Sequence, residues 1–125
     1  MTPGGQRVEV AHAAQDRLGE GPLWDPADQL LRWVDIPAGR VHQLAPPTGR
    51  HASFTVGAPV GSIALRQDGG LVLARDRGFA RCDADGGDLA GIPGFSVATP
   101  GVRFNDGRAD PWGGFCAGTM HLGET

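Results

Sequence analysis

The sequence predicts an all-β fold of short strands and tight turns, and three observations point to it. Glycine and proline are frequent, with 21 and 10 of the 125 residues, and short apolar runs separate them. A turn followed by an apolar strand recurs at a nearly constant spacing. No long window sustains the i, i+3, i+4, i+7 apolar spacing of an amphipathic helix. Together these patterns favour many short strands over helices.

A unit of about 42 residues recurs three times along the chain. Each copy begins with a turn that contains Asp25, Asp68 or Asp110, and an apolar strand follows each turn. In the first two copies a further strand leads into a second turn, at 46–49 and at 83–87. A period of roughly 40 to 50 residues with four short strands is typical of β-propeller blades. An ordinary β-sandwich with similar turns is the alternative that these residues leave open.

Composition and charge exclude several functional classes. The formal net charge is −3, and the 11 basic residues never form a run, whereas a nucleic-acid interface needs a clustered basic patch. No apolar stretch approaches the length that spans a membrane. The first seven residues contain no apolar core of a signal peptide. We therefore expect a cytoplasmic protein that binds neither nucleic acid nor membrane.

Several common catalytic motifs are missing from the sequence. Cys82 and Cys116 fit neither a metal motif nor a disulfide framework, so we expect both to be reduced thiols. The four histidines show no close zinc spacing. Ser53, Ser62 and Ser96 lack the glycines that surround a nucleophilic serine in hydrolases. Phosphate-binding glycine motifs are also missing, which disfavours nucleotide chemistry.

Glu20 is the first candidate for chemistry. It lies between Gly19 and Gly21, with Pro22 next, directly before an apolar strand whose Trp24 we expect to be buried. Carboxylate oxygens on such a constrained backbone are natural ligands for a hard cation such as Ca²⁺ or Mg²⁺. Taken by itself, a loop carboxylate at the surface is the stronger interpretation of Glu20.

The second candidate lies near the end of the chain. Alternation along a strand would place Arg103 and Asn105 on one face and Phe104 on the other. Arginine presents a planar fork of donors to substrate oxygens, and the asparagine amide offers both a donor and an acceptor. The dipeptide Asp106-Gly107, taken by itself, is more typical of a hairpin turn.

Four stretches together carry a resemblance to a known family. They are Leu-Gly-Glu-Gly-Pro-Leu-Trp at 18–24, Val-Asp-Ile-Pro at 34–37, Pro-Val-Gly-Ser-Ile-Ala-Leu-Arg at 59–66, and Arg-Phe-Asn-Asp-Gly at 103–107 with Ala-Gly-Thr-Met at 117–120. The chain resembles the family of regucalcin (senescence marker protein), gluconolactonase and luciferin-regenerating enzyme from about residue 16 onward. The resemblance implies a six-bladed β-propeller with one divalent cation on its axis. That cation would be Ca²⁺ or Zn²⁺, with Mg²⁺ or Mn²⁺ as alternatives.

The resemblance also implies roles for individual residues. Glu20 would be a direct metal ligand, and Arg103 and Asn105 would line the substrate pocket. In some members an acidic residue soon after Ala-Gly-Thr-Met lines the pocket, and Glu124 lies near that place. The family takes an Asn and an Asp from its second half as further metal ligands, and this Asp is also the favoured general base. We therefore expect the general base beyond Thr125 and no catalytic residue within the chain.

The resemblance implies a whole protein that hydrolyses sugar lactones. Residues 1–125 would form the N-terminal part of a single propeller domain, about its first three blades, so that the chain is a fragment. A cation would polarise the lactone carbonyl and activate water, while Arg103 and Asn105 orient the sugar hydroxyls and Asp106 shapes its loop. The alternatives are a different ester or lactone as substrate, a calcium-binding or scaffold propeller without turnover, and a truncated, inactive product. Exposed sheet edges would favour self-association.

Overall fold

The computed structural model describes Gly5 and residues 7–123, and within them all regular structure is β. The strands are β1 (Gly19–Asp25), β2 (Leu30–Asp35), β3 (Arg40–Ala45), β4 (Arg50–Thr55), β5 (Val60–Leu65), β6 (Leu71–Arg75), β7 (Gly78–Cys82), β8 (Ala90–Ser96), β9 (Val102–Ala109) and β10 (Phe115–His121). The predicted all-β class is therefore confirmed. Over this described part of the chain, no helix is long and apolar enough to cross a membrane.

The strands form three antiparallel sheets that follow one another along the chain. Strands β1 to β4 make the first sheet, β5 to β8 the second, and β9 with β10 a hairpin. The turns that contain Asp25, Asp68 and Asp110 each join the first strand of a sheet to the second, as the repeat predicts. The turns at 46–49 and 83–87 join the third strand to the fourth. Each sheet is thus a simple meander, unlike the crossing connections of a β-sandwich.

Aspartate side chains close the turns that contain Asp25 and Asp110. The Asp110 Oδ1 atom accepts hydrogen bonds from the backbone N–H groups of Trp112 and Gly114, both at 2.8 Å. Asp25 does the same for the N–H group of Ala27 at 3.1 Å. Short carboxylate side chains stabilise turns in this way because they satisfy backbone donors that the strand ladder leaves free.

The hydrophobic core is shared by the first two sheets. Its buried members are Val34, Ile36, Val41, Val56, Val60, Ile63, Leu71, Leu73, Ala80 and Cys82. Burial disfavours the thiolate of Cys82 and raises the pKa of this thiol. Cys116 is exposed, and both cysteines are free. Trp24 is 45% exposed, so its expected burial is wrong, because alternation along β1 packs Leu23 against the core instead.

A buried arginine links the first sheet to the second. Arg32 is 1% exposed, and its Nε atom donates to Asp25 Oδ2 at 3.1 Å. Its Nη1 atom donates to Gln43 Oε1 at 3.0 Å and to the carbonyl of Ala84 at 3.1 Å. A buried charge persists only where it is paired and hydrogen-bonded. Because Ala84 lies in the turn between β7 and β8, this side chain fixes one sheet against the other.

The first strand of every sheet carries one extra residue relative to the second strand. The irregularities fall at 21–22 in β1, at 61 in β5 and at 105–106 in β9. Such bulges bend a strand and redirect the side chains beside it. Both candidate regions, around Glu20 and around Arg103 and Asn105, therefore share one local backbone feature with β5, although the three sequences differ.

The position of Asp106-Gly107 at the bulge in β9 differs from the hairpin turn that its sequence favours. Asp106 and Gly107 lie inside this strand, where Gly107 pairs with Ala117, so the hairpin-turn interpretation of this dipeptide is wrong. The hairpin turns at 110–114 instead. A Cβ atom at Gly107 would lie 2.5 Å from Ser62 Oγ and 2.9 Å from the Cys116 carbonyl oxygen. Glycine is therefore required at this position by close packing and not by a turn.

Candidate functional site

The first strands of the three sheets border one cavity. Strand β5 contacts both β1 and β9, and a cavity of about 400 Å³ lies along all three. Its lining consists of 20–23 from β1, 62–65 from β5 and 106–109 from β9. The cavity is therefore built from corresponding parts of three repeated units.

Strand β5 approaches β9 closely at the bulge. A Cβ atom at Gly61 would lie 2.6 Å from the carbonyl oxygen of Asn105 and 2.7 Å from that of Phe104. Only glycine permits this backbone contact without a shift of one strand. Phe104 is 3% exposed and packs on Phe79 with 4.8 Å between ring centroids. These contacts fix the position of Asn105 relative to β5.

Glu20 is half-buried on β1, and its backbone is held from the neighbouring strand. Asp35 is 4% exposed, and its carboxylate accepts the N–H groups of Arg17 at 3.1 Å and Leu18 at 3.0 Å. Gly21 follows Glu20 with φ of +68°, in the left-handed region that favours glycine. The Val-Asp-Ile-Pro stretch at 34–37 therefore contributes to the site by anchoring the segment that leads into Glu20.

Arg103 and Asn105 lie together, as strand alternation predicts. Both are half-buried, and Arg103 Nη1 lies 3.4 Å from Asn105 Oδ1. The same nitrogen donates to the carbonyl of Phe104 at 2.7 Å. Neither residue belongs to the cavity lining that contains Glu20. The β9 part of that lining begins at Asp106. Glu124 lies outside the described residues.

Ser62 is a cavity residue that the sequence motifs did not identify. It is 1% exposed, it belongs to the cavity lining, and its Oγ atom has no hydrogen-bond partner within the described structure. Buried hydroxyls normally have a partner, so an unsatisfied one beside a cavity is a candidate ligand contact. The repeat itself contained the signal, because Glu20, Ser62 and Asn105 follow one another at the same spacing of about 42 residues.

The described residues offer few of the ligands that a divalent cation would need. Between residues 7 and 123, no group of three or more His, Cys, Asp or Glu side chains is arranged to hold a metal ion. Calcium takes about six to eight oxygen ligands, and the Glu20 carboxylate offers two of them. This donor set fits one wall of a cation site and does not complete it.

A cluster of aromatic and acidic side chains lies beside Glu20. His42 lies between Asp16, at 2.7 Å from its Nε2 atom, and His51, at 2.8 Å from its Nδ1 atom. Trp33 pairs with His42 across β2 and β3 and stacks on it, with 4.7 Å between centroids. His12 stacks on His51 at 3.9 Å. The spacing of these histidines gave no sign of the cluster, because strand pairing brings them together.

Comparisons with known proteins agree with this geometry. The model of the family described as SMP-30/Gluconolactonase/LRE-like region matches residues 18–125. A 6-deoxy-6-sulfogluconolactonase of Pseudomonas putida is 40% identical over 103 residues, which cover 82% of this chain and 35% of that protein. A pentonolactonase of Haloferax volcanii is 41% identical over 106 residues, which cover 83% of this chain and 35% of that protein.

Among solved structures, the calcium-binding protein regucalcin from Agrobacterium tumefaciens superposes with a TM-score of 0.73 at 30% identity. The match covers 85% of this chain and 36% of that one. The chain therefore spans about a third of the length of the relatives that it matches.

Proposed function

Because the chain belongs to the SMP-30/gluconolactonase/LRE-like family, we propose that it provides part of a sugar-lactone hydrolase. Two relatives that are 40% and 41% identical to it are named as lactonases. The observation that carries the proposal is the cavity along the three first strands. Its lining includes the polar and charged residues Glu20, Ser62, Asp106 and Arg108. Such convergent polar groups suit a small polyhydroxylated ligand.

The architecture proposed for the whole protein is a six-bladed β-propeller, with residues 1–125 as the N-terminal part of its single domain. The repeated meander sheets support this, since each of the first two has four strands in chain order. The match to about a third of each relative's length supports it as well. The first strands would then line the propeller axis together with those of the remaining blades.

Glu20 is the proposed cation ligand of this chain, and the other ligands and the general base would come from beyond Thr125. A bound divalent cation would polarise the lactone carbonyl and lower the pKa of a bound water. Support for Glu20 comes from its anchored backbone and its position on the cavity wall. The similarity to regucalcin, a calcium-binding protein, favours Ca²⁺ over Zn²⁺, Mg²⁺ and Mn²⁺.

Arg103 and Asn105 lie on β9 directly before the stretch that lines the cavity, and we propose that they orient the substrate from its edge. Hydrolysis of a lactone opens the ring and leaves a carboxylate, which a guanidinium group pairs with through two parallel hydrogen bonds. The contact between Arg103 Nη1 and Asn105 Oδ1 holds both groups in one orientation before substrate arrives. Preorganised donors of this kind stabilise charge that develops during the reaction.

A second candidate function is calcium binding without turnover, which the similarity to the calcium-binding protein regucalcin favours. The experiment compares this chain with a version extended through the downstream reading frame, and measures acid release from gluconolactone with added Ca²⁺ or Zn²⁺. We expect metal-dependent hydrolysis in the extended form and its loss in Glu20→Gln. The matched control is Glu9→Gln, because Glu9 is exposed and, among the described residues, pairs with Arg7 alone. Calcium binding with no hydrolysis would support the second candidate, and hydrolysis unaffected by Glu20→Gln would contradict the role of Glu20.

A further inference from the structure

The segment that leads into Glu20 is held from two sides. Asp35 accepts the N–H groups of Arg17 and Leu18 on one side. On the other side lies the Asp16 carboxylate, whose side chain is 12% exposed. It accepts a hydrogen bond from Trp33 Nε1 at 2.9 Å and lies 2.7 Å from His42 Nε2. Hydrogen bonds to a charged group are the stronger ones, so both carboxylates anchor the chain firmly.

The Asp16 carboxylate lies directly against the backbone before Glu20. A Cβ atom at Gly19 would be 2.7 Å from Asp16 Oδ2, so the carboxylate packs on this glycine. A second, open cavity lies next to the cavity along β1, β5 and β9, and its lining includes Asp16, Glu20 and Trp33. Any displacement of the Asp16 carboxylate therefore acts on the peptide unit that carries Glu20.

The hydrogen-bond donors and acceptors of the cluster are consistent with this anchoring. An ionised carboxylate only accepts hydrogen bonds, so His42 donates from Nε2 to Asp16 and uses Nδ1 toward His51. Desolvation lowers the pKa of His51 most, and positive charge on His12 and on His42 lowers it further. The carboxylate of Asp16 opposes this shift, and Arg40 adds to it. The Nε2 atom of a neutral His51 is then the hydrogen-bond partner of His42 Nδ1.

We propose that Asp16 and His42 are positioning residues for Glu20. They hold the backbone at 16–20 against the first sheet, and through it they keep the Glu20 carboxylate at the cavity wall. The last step rests on the proposed function, since it assumes that Glu20 binds a cation. Groups that orient a metal ligand typically change metal affinity by about 10- to 100-fold when they are removed.

The test uses three variants and hydrogen exchange of backbone amides. His42→Phe keeps the ring stacked on Trp33 and removes both ring nitrogens, and Asp16→Asn keeps the size but removes the charge. Asp68→Asn is the matched control, because Asp68 is an exposed turn residue that, in the part of the chain the structure describes, pairs with Arg66 alone. We expect exchange at 17–20 to quicken about 10-fold or more in the first two variants, and to stay unchanged in the control. Exchange in β5 to β7 should not change in any variant.

Two further measurements separate positioning from a general loss of structure. His42→Gln keeps an N–H donor near Asp16 and should restore part of the protection at 17–20. In the version extended through the downstream reading frame, affinity for Ca²⁺ alone, measured by calorimetry, should fall about 10-fold in Asp16→Asn and His42→Phe. Unchanged exchange at 17–20, or faster exchange throughout all three sheets, would overturn the proposal. A wild-type extended version that binds no Ca²⁺ would contradict the cation role of Glu20, while the exchange pattern would still decide the positioning role.

Discussion

Removing the guanidinium of Arg32 should destabilise the protein more than any change at the surface. Arg32→Met keeps a long side chain of similar length but leaves the Asp25 carboxylate, which is 5% exposed, without its charged partner. The hydrogen bonds to Gln43 and to the carbonyl of Ala84 disappear as well. Breaking a buried ion pair at one partner costs about 3–5 kcal/mol, so we expect that loss in the free energy of unfolding. Domains of this size have about 5–15 kcal/mol in total, so the loss would be severe.

A double-mutant cycle measured by urea unfolding tests the physical cause. Asp25→Asn keeps the Oδ1 atom that closes the turn, and combined with Arg32→Met it removes both charges. The double variant should therefore lose about 0.5–3 kcal/mol less than the sum of the single variants. Asp28→Asn is the control, because Asp28 is 53% exposed and its pair with Arg32 is worth at most about 1 kcal/mol. Additive losses, or an Arg32→Met variant as stable as wild type, would refute the reasoning.

Three further predictions concern the site and its surroundings. Gly61→Ala should cost about 1–3 kcal/mol in urea unfolding, because the added methyl group meets the backbone of β9; a value near zero would show that the strands shift freely. Asp35→Ala should free the amides of Arg17 and Leu18 and quicken their hydrogen exchange about 10-fold, and unchanged exchange would show that the carboxylate does not hold this segment. Because the folded state lowers the pKa of His51 below its ordinary 6.5, the contribution of His51 to stability is present above pH 6.5 and is lost as the pH falls through the folded pKa. His51→Gln should therefore flatten this part of the pH profile, and an unchanged slope would contradict the assignment.

Local rules in the sequence determined the fold class and part of the site. Aspartates and glycines at a spacing of about 42 residues marked the turns, because turn formation depends on a few adjacent residues. Alternation along β9 placed Phe104 inward and brought Arg103 beside Asn105, since successive side chains on a strand point to opposite faces. These features require no knowledge of what packs against the strand.

The tertiary structure alone decided which distant residues meet. Asp106 and Gly107 have the sequence of a turn, yet they lie within β9. Glycine stands at 107 because β5 packs against that strand and leaves no room for a side chain there. Ser62 became a cavity residue only because the first strands of the three sheets lie side by side. His42 and His51 are ordinary strand residues in the sequence, and register between β3 and β4 placed them together with Asp16. Pairing and packing depend on contacts between residues far apart in the chain, and short-range patterns do not encode these contacts.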